Sequence, residues 1–175
     1  MKYAHTLLAI FALIGVPAAD VAAQGADFSG RWSLDRDASD IPQGRGGGGR
    51  GGAGGGGRGG SGALVAETLL ITQSAASLTV EQSQGDRSRT VAYALDGSET
   101  TIEQGRGTLT ATARWDGGTL VTSGIQELDT PRGNFSLTLT ELRTLSADRE
   151  TLVIQSTRET PRGERTMTLV YRKVM

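Results

Sequence analysis

From Phe28 to the end of the chain, large apolar residues alternate with small or polar ones in short runs, and no stretch keeps the 3.6-residue period of a helix. A period of two puts every second side chain on one face of an extended strand, so each run predicts a strand with one face buried. Phe28, Trp32 and Leu34 share such a face in the first run. The pattern returns over 67–73, 77–82, 89–95, 108–115, 119–126, 135–140, 151–157 and 166–172, rich in threonine and valine, which suit a pleated surface. About nine strands result.

Their connections are short. Ser74-Ala75-Ala76, Asp96-Gly97 and Asp116-Gly117-Gly118 are turn sequences, the last flanked by the two clearest strands of a hairpin. Thr130-Pro131-Arg132-Gly133 and Thr160-Pro161-Arg162-Gly163 are near copies, in which proline presets φ and glycine relieves a positive-φ position. Parallel pairing would need long crossovers, so consecutive strands are antiparallel. A meander of this length splits into a sandwich or closes, and closure removes exposed edges. The expected fold is all-β, a small barrel of about eight to ten strands, in one domain over 24–175.

Two segments stand outside the pattern. Residues 1–23 combine Lys2, the apolar run Leu7 to Ile14 and small residues ending Val21-Ala22-Ala23, which predicts a cleaved signal peptide, with a cut after Ala19 as second choice. The run is far shorter than the roughly 20 residues that span a bilayer, so the mature chain, periplasmic or secreted, is expected not to cross one by a helix. An outer-membrane barrel would need aromatic girdles, which this aromatic-poor chain ending Lys173-Val174-Met175 does not supply. Residues 44–62 are almost pure glycine with Arg45, Arg50 and Arg58, a composition that predicts a disordered loop after the first strand. Those arginine-glycine triplets look like RNA-binding segments, but an exported chain with three charges and no aromatic residue there argues against nucleic acid. The composition reads first as a flexible, tolerated loop, with weak attachment to an anionic envelope polymer as the other role.

Chemistry is narrowed by absence. The chain has no cysteine and its one histidine, His5, lies in the signal segment, so the mature protein lacks the usual base for a serine nucleophile and the usual zinc ligands. No metal, cofactor or catalytic residue is expected. Asp35, Asp37 and Asp40 could offer calcium oxygens but read better as a solvated turn, and Glu99 with Glu103 or Asp116 with Glu127 could be imagined as paired carboxylates. Tyr93, Trp115, Phe135, Met167, Leu169 and Tyr171 are the candidate lining of an apolar cavity, or equally the filling of a solid core, because a barrel of this size allows both.

Gly30-Arg31-Trp32 on the first strand resembles the Gly-x-Trp feature of the calycin group, the lipocalins and their relatives. The resemblance implies that Trp32 closes one end of the barrel and packs against a basic residue of the last strand, here Arg172. Gly30-x-Trp32-x-Leu34-Asp35, Leu95-Asp96-Gly97, Trp115-Asp116-Gly117, Leu145-Ser146-Ala147-Asp148 and Leu169-Val170-Tyr171-Arg172 together are similar to exported bacterial proteins described as lipocalin-like. That implies a fold and a compartment, and no activity. Two functions are expected: a barrel binding a small apolar or amphipathic ligand without chemistry of its own, or a solid-cored envelope module acting through its surface and its glycine-arginine loop. Neither implies a particular oligomeric state.

Overall fold

The computed structural model describes residues 25–41, 65–104, 107–131, 133–160 and 163–175. The expected signal peptide and the glycine-rich segment 44–62 lie outside the described residues. The rest forms strands β1 (Gly30–Asp35), β2 (Thr68–Gln73), β3 (Ser77–Gln84), β4 (Arg87–Ala94), β5 (Thr100–Glu103), β6 (Gly107–Asp116), β7 (Thr119–Thr130), β8 (Gly133–Leu145), β9 (Thr151–Thr160) and β10 (Gly163–Val174).

All belong to one antiparallel sheet in the order β4-β3-β2-β1-β10-β9-β8-β7-β6-β5. Pairing of the first strand with the last curls the meander round, and β4 and β5 meet as its two edges. The barrel is nearly closed. No ladder joins β4 to β5; instead Ala94 N donates to Thr100 Oγ1 at 3.2 Å and Arg89 Nη1 to Gln104 Oε1 at 3.3 Å across the seam.

Alternation sets which side chains enter. Leu69 and Ile71 on β2, Leu78 and Val80 on β3, Leu109 and Ala111 on β6 and Leu152 on β9 are buried, while their sequence neighbours face out. Each leucine, isoleucine or valine side chain so withdrawn from water stabilises the barrel by about 1.5–3 kcal/mol before chain entropy is counted. Four-residue β5, with Ile102 buried, is a tenth strand, too short for the sequence pattern to reveal. The twin turns are alike in structure also: Thr130 Oγ1 donates to Gly133 O at 2.7 Å and Thr160 Oγ1 to Gly163 O at 3.0 Å, with φ of 111° and 115° at the glycines.

One end of the barrel is stoppered. The segment before β1 crosses it with Phe28, fully buried and stacked on Trp115 with centroids 5.6 Å apart and planes 3° apart. Trp32 Nε1 donates to Phe28 O at 2.9 Å, and the Gln73 side chain ties the segment down by accepting from Phe28 N and donating to Ala26 O. The end of β1 at Asp35 and the start of β2 at Thr68 both lie toward the opposite end, the mouth.

Candidate ligand chamber

Between the mouth and the apolar stopper, the inward face changes character. On β8, the phase that carries Leu137 and Leu139 inward continues with Glu141 and Arg143; on β9 the phase of Leu152 and Ile154 continues with Ser156 and Arg158. Arg89 and Gln82 arrive beside them from β4 and β3. These groups line a cavity of about 40 Å³ together with apolar Val65, Leu69, Met167 and Leu169. The volume has room for about three ordered waters.

Arg143 is 1% exposed. Its Nη1 donates to Thr122 Oγ1 at 3.0 Å, its Nη2 pairs with Glu141 Oε2, and its guanidinium lies 5.5 Å from the centroid of the Tyr93 ring. Burial disfavours the charge, but Glu141 and Tyr93 outweigh it and hold the Arg143 pKa above its ordinary value. Arg158 is placed differently: burial lowers its pKa, Glu141 works against that, and Arg89 lowers it further by repulsion between like charges. Neither Arg158 nor Arg89 has an ion pair among the described residues. Arg143 Nε and Arg158 Nε are buried with no hydrogen-bond partner there. A buried donor left unmade costs about 1–3 kcal/mol, more for a charged group, so these two atoms mark places where an acceptor would stabilise the fold.

The residues predicted to line a cavity separate into three groups. Met167, Leu169 and Tyr171 line it, Tyr171 with its hydroxyl donating to Ala66 O at 3.0 Å. Tyr93 is buried on the far side of Arg143, against Leu109, Ala111 and Leu139. Trp115 belongs to the stopper, and Phe135 stands at the mouth end, 39% exposed. Phe135 and Trp115 are therefore not lining residues, because position along the barrel separates them from the cavity although Phe135 has the inward phase of β8.

The closing pair also needs correction. Lys173, not Arg172, lies over Trp32, with Nζ 5.4 Å from the ring centroid. The β1–β10 register sets Trp32 opposite Lys173 and Ser33 opposite Arg172, so Arg172 points outward and bonds Asp35 Oδ2 at 3.1 Å and Thr151 Oγ1 at 2.9 Å. Gly30 has φ +136°, and a Cβ there would sit 3.1 Å from Lys173 Cε, so the glycine of Gly-x-Trp clears the path of the lysine stem.

The remaining acidic candidates gather into no site. Asp35 accepts from Ala38 N and Arg172 within its turn, and Asp116 and Glu127 lie at opposite ends of the β6–β7 hairpin. Among the described residues, no group of three or more histidine, cysteine, aspartate or glutamate side chains is placed to hold a metal ion.

A ten-stranded up-and-down antiparallel barrel, stoppered at one end by a Gly-x-Trp strand and carrying a small inner chamber, has a lipocalin-like fold. Among solved structures it is similar to a "REP1-NXSQ fatty acid transporter", with TM-score 0.51 and 10% identity over 85% of this chain and 96% of that one. It is also similar to a secretory abundant heat soluble protein from Ramazzottius varieornatus, with TM-score 0.47 and 16% identity over 61% and 70% of the two chains. Zebrafish ileal bile acid-binding protein, solved with cholic acid, gives TM-score 0.45 and 19% identity over 61% and 72%. No protein-family model and no curated protein matches the sequence.

Proposed function

We propose that the chain is an exported binding barrel for a small amphipathic acid, held with its anionic group against Arg158 and Arg89 and its apolar part against Met167, Leu169 and Val65. One observation carries this reading: two arginines with no ion pair among the described residues line a cavity that is also lined by hydrocarbon from Val65, Leu69, Met167 and Leu169. An anion would supply the acceptor that Arg158 Nε lacks and relieve the repulsion between Arg158 and Arg89. A fatty-acid transporter sharing the barrel fold is compatible with it. The cavity is small beside the several hundred Å³ of a drug-sized ligand site, so the occupant is short or extends its tail through the mouth.

The test is calorimetric titration of the chain from residue 24 onward with octanoate and with octanol. Saturable binding of octanoate alone, abolished in Arg158→Leu with the barrel intact by circular dichroism, is expected. Equal uptake of the alcohol would defeat the anion reading. Export is tested separately, by N-terminal sequencing of the protein recovered outside the cytoplasm.

The cavity volume also favours a second reading, a filled barrel that works through its surface. Native mass spectrometry after incubation with host lipid extract separates the two. A clean apoprotein mass, together with loss of envelope attachment on deleting 44–62, would favour the surface module.

A further inference from the structure

The carboxylate inside a chamber read as an anion site calls for its own explanation, since it cancels one of the charges that would attract the ligand. Glu141 lies between Arg143 and Arg158, with Ser156 beside it on β9 and Thr122 beside it on β7. It uses only Oε2 to hold Arg143; no donor among the described residues reaches Oε1, and the side chain keeps 18% exposure where it borders the cavity. The Arg143 charge is thereby paired from within the barrel although its Nε keeps no partner among the described residues, and the arginines that form no ion pair there are Arg158 and Arg89. The cavity thus has two poles, cationic at Arg158 and an open carboxylate oxygen at Glu141. A plain monocarboxylate meets the first pole and is repelled by the second. A molecule with a hydroxyl or ammonium close to its acid group meets both.

We propose that Glu141 is the specificity-determining residue of the chamber, selecting an amphiphile that carries a hydrogen-bond donor next to its acid group. This rests on the amphipathic-acid reading and narrows it. Hydrogen bonds to a desolvated charge discriminate strongly because the site's own group is otherwise left unmade.

The experiment titrates the chain from residue 24 onward with octanoate and 3-hydroxyoctanoate. Wild type is expected to bind the hydroxy acid more tightly by about 10-fold or more. Glu141→Gln, which keeps the shape and removes the charge, should bring the two affinities within about 3-fold, mainly by tightening octanoate. If that variant folds poorly, the double change Glu141→Leu with Arg143→Met removes the whole pair and should abolish the preference as well. A ratio of two affinities in one protein is insensitive to a merely structural loss. Equal affinities in wild type, or a preference that survives both variants, would overturn the role of Glu141 while leaving the anion chamber standing. Binding of neither acid to a folded wild type would remove both.

Discussion

Glu141 and Arg143 stand two residues apart on β8, project from the same side of the strand and close an ion pair inside the barrel, with Arg143 itself 1% exposed. A pair so placed offsets most of its own desolvation, which makes the cost of breaking it much larger than the value of keeping it. Arg143→Met alone is predicted to destabilise the barrel by about 3–5 kcal/mol, because Glu141 loses the cation that compensates it. Adding Glu141→Leu should recover most of that loss. A urea-unfolding double-mutant cycle checks it, and strictly additive effects would show that the two charges are not coupled.

The stopper gives a second expectation. Phe28 is fully buried, stacks on Trp115 and offers its carbonyl oxygen to the Trp32 indole N–H. Phe28→Ala should cost about 3–5 kcal/mol and open one face of Trp115 to water, shifting tryptophan emission to longer wavelength. Unchanged emission with a stability loss under about 1 kcal/mol would place the segment before β1 outside the core.

A graded series tests the end of the barrel. Gly30→Ala must hold φ near +136° and crowd the Lys173 stem, which predicts a loss of about 1–3 kcal/mol. Lys173→Met removes the cation from the indole face at a cost of about 0.5–1 kcal/mol. Arg172→Ala breaks only surface contacts, with Asp35 and Thr151, and should cost about 0–1 kcal/mol. Thermal melts of the three variants give the order directly; Arg172→Ala as the most damaging change would contradict the register.

Most of the barrel was legible because period-two alternation is enforced wherever one face of a strand is buried, and nine of the ten strands run for six residues or more. β5 escaped because four residues are too short a run to show a period. The chamber was missed for a different reason. Hydropathy alone points to aromatic and aliphatic residues as the lining, whereas Glu141, Arg143 and Arg158 occupy inward positions in phase with Leu137, Leu139, Leu152 and Ile154. Charged residues in the buried phase of a strand were the available signal. The same parity argument, counted from Leu169 and Tyr171, selects Lys173 over Arg172. Which end of the barrel each inward residue occupies depends on register between distant strands, and that kept Phe135 and Trp115 in the wrong group.

The last expectation concerns alkaline pH. Tyr93 and Tyr171 are the two tyrosines after the signal segment, and both are raised above the ordinary value of 10.0, first by burial and then by the nearby Glu141 charge. The folded state therefore favours the neutral phenol, and in the unfolded chain the same groups ionise near pH 10. The stabilisation is fully present below that pH and is lost progressively as pH rises above it toward the folded-state values. Ultraviolet titration should accordingly show almost no tyrosinate at pH 10 in the native protein, followed at higher pH by a single cooperative step that coincides with loss of β-sheet ellipticity. Tyr171→Phe should shrink the step and leave one phenol still protected, since the change removes the hydroxyl bonded to Ala66 O while Tyr93 stays packed against Arg143. Independent titration of both tyrosines near pH 10 with the sheet intact would mean that water reaches the chamber floor freely.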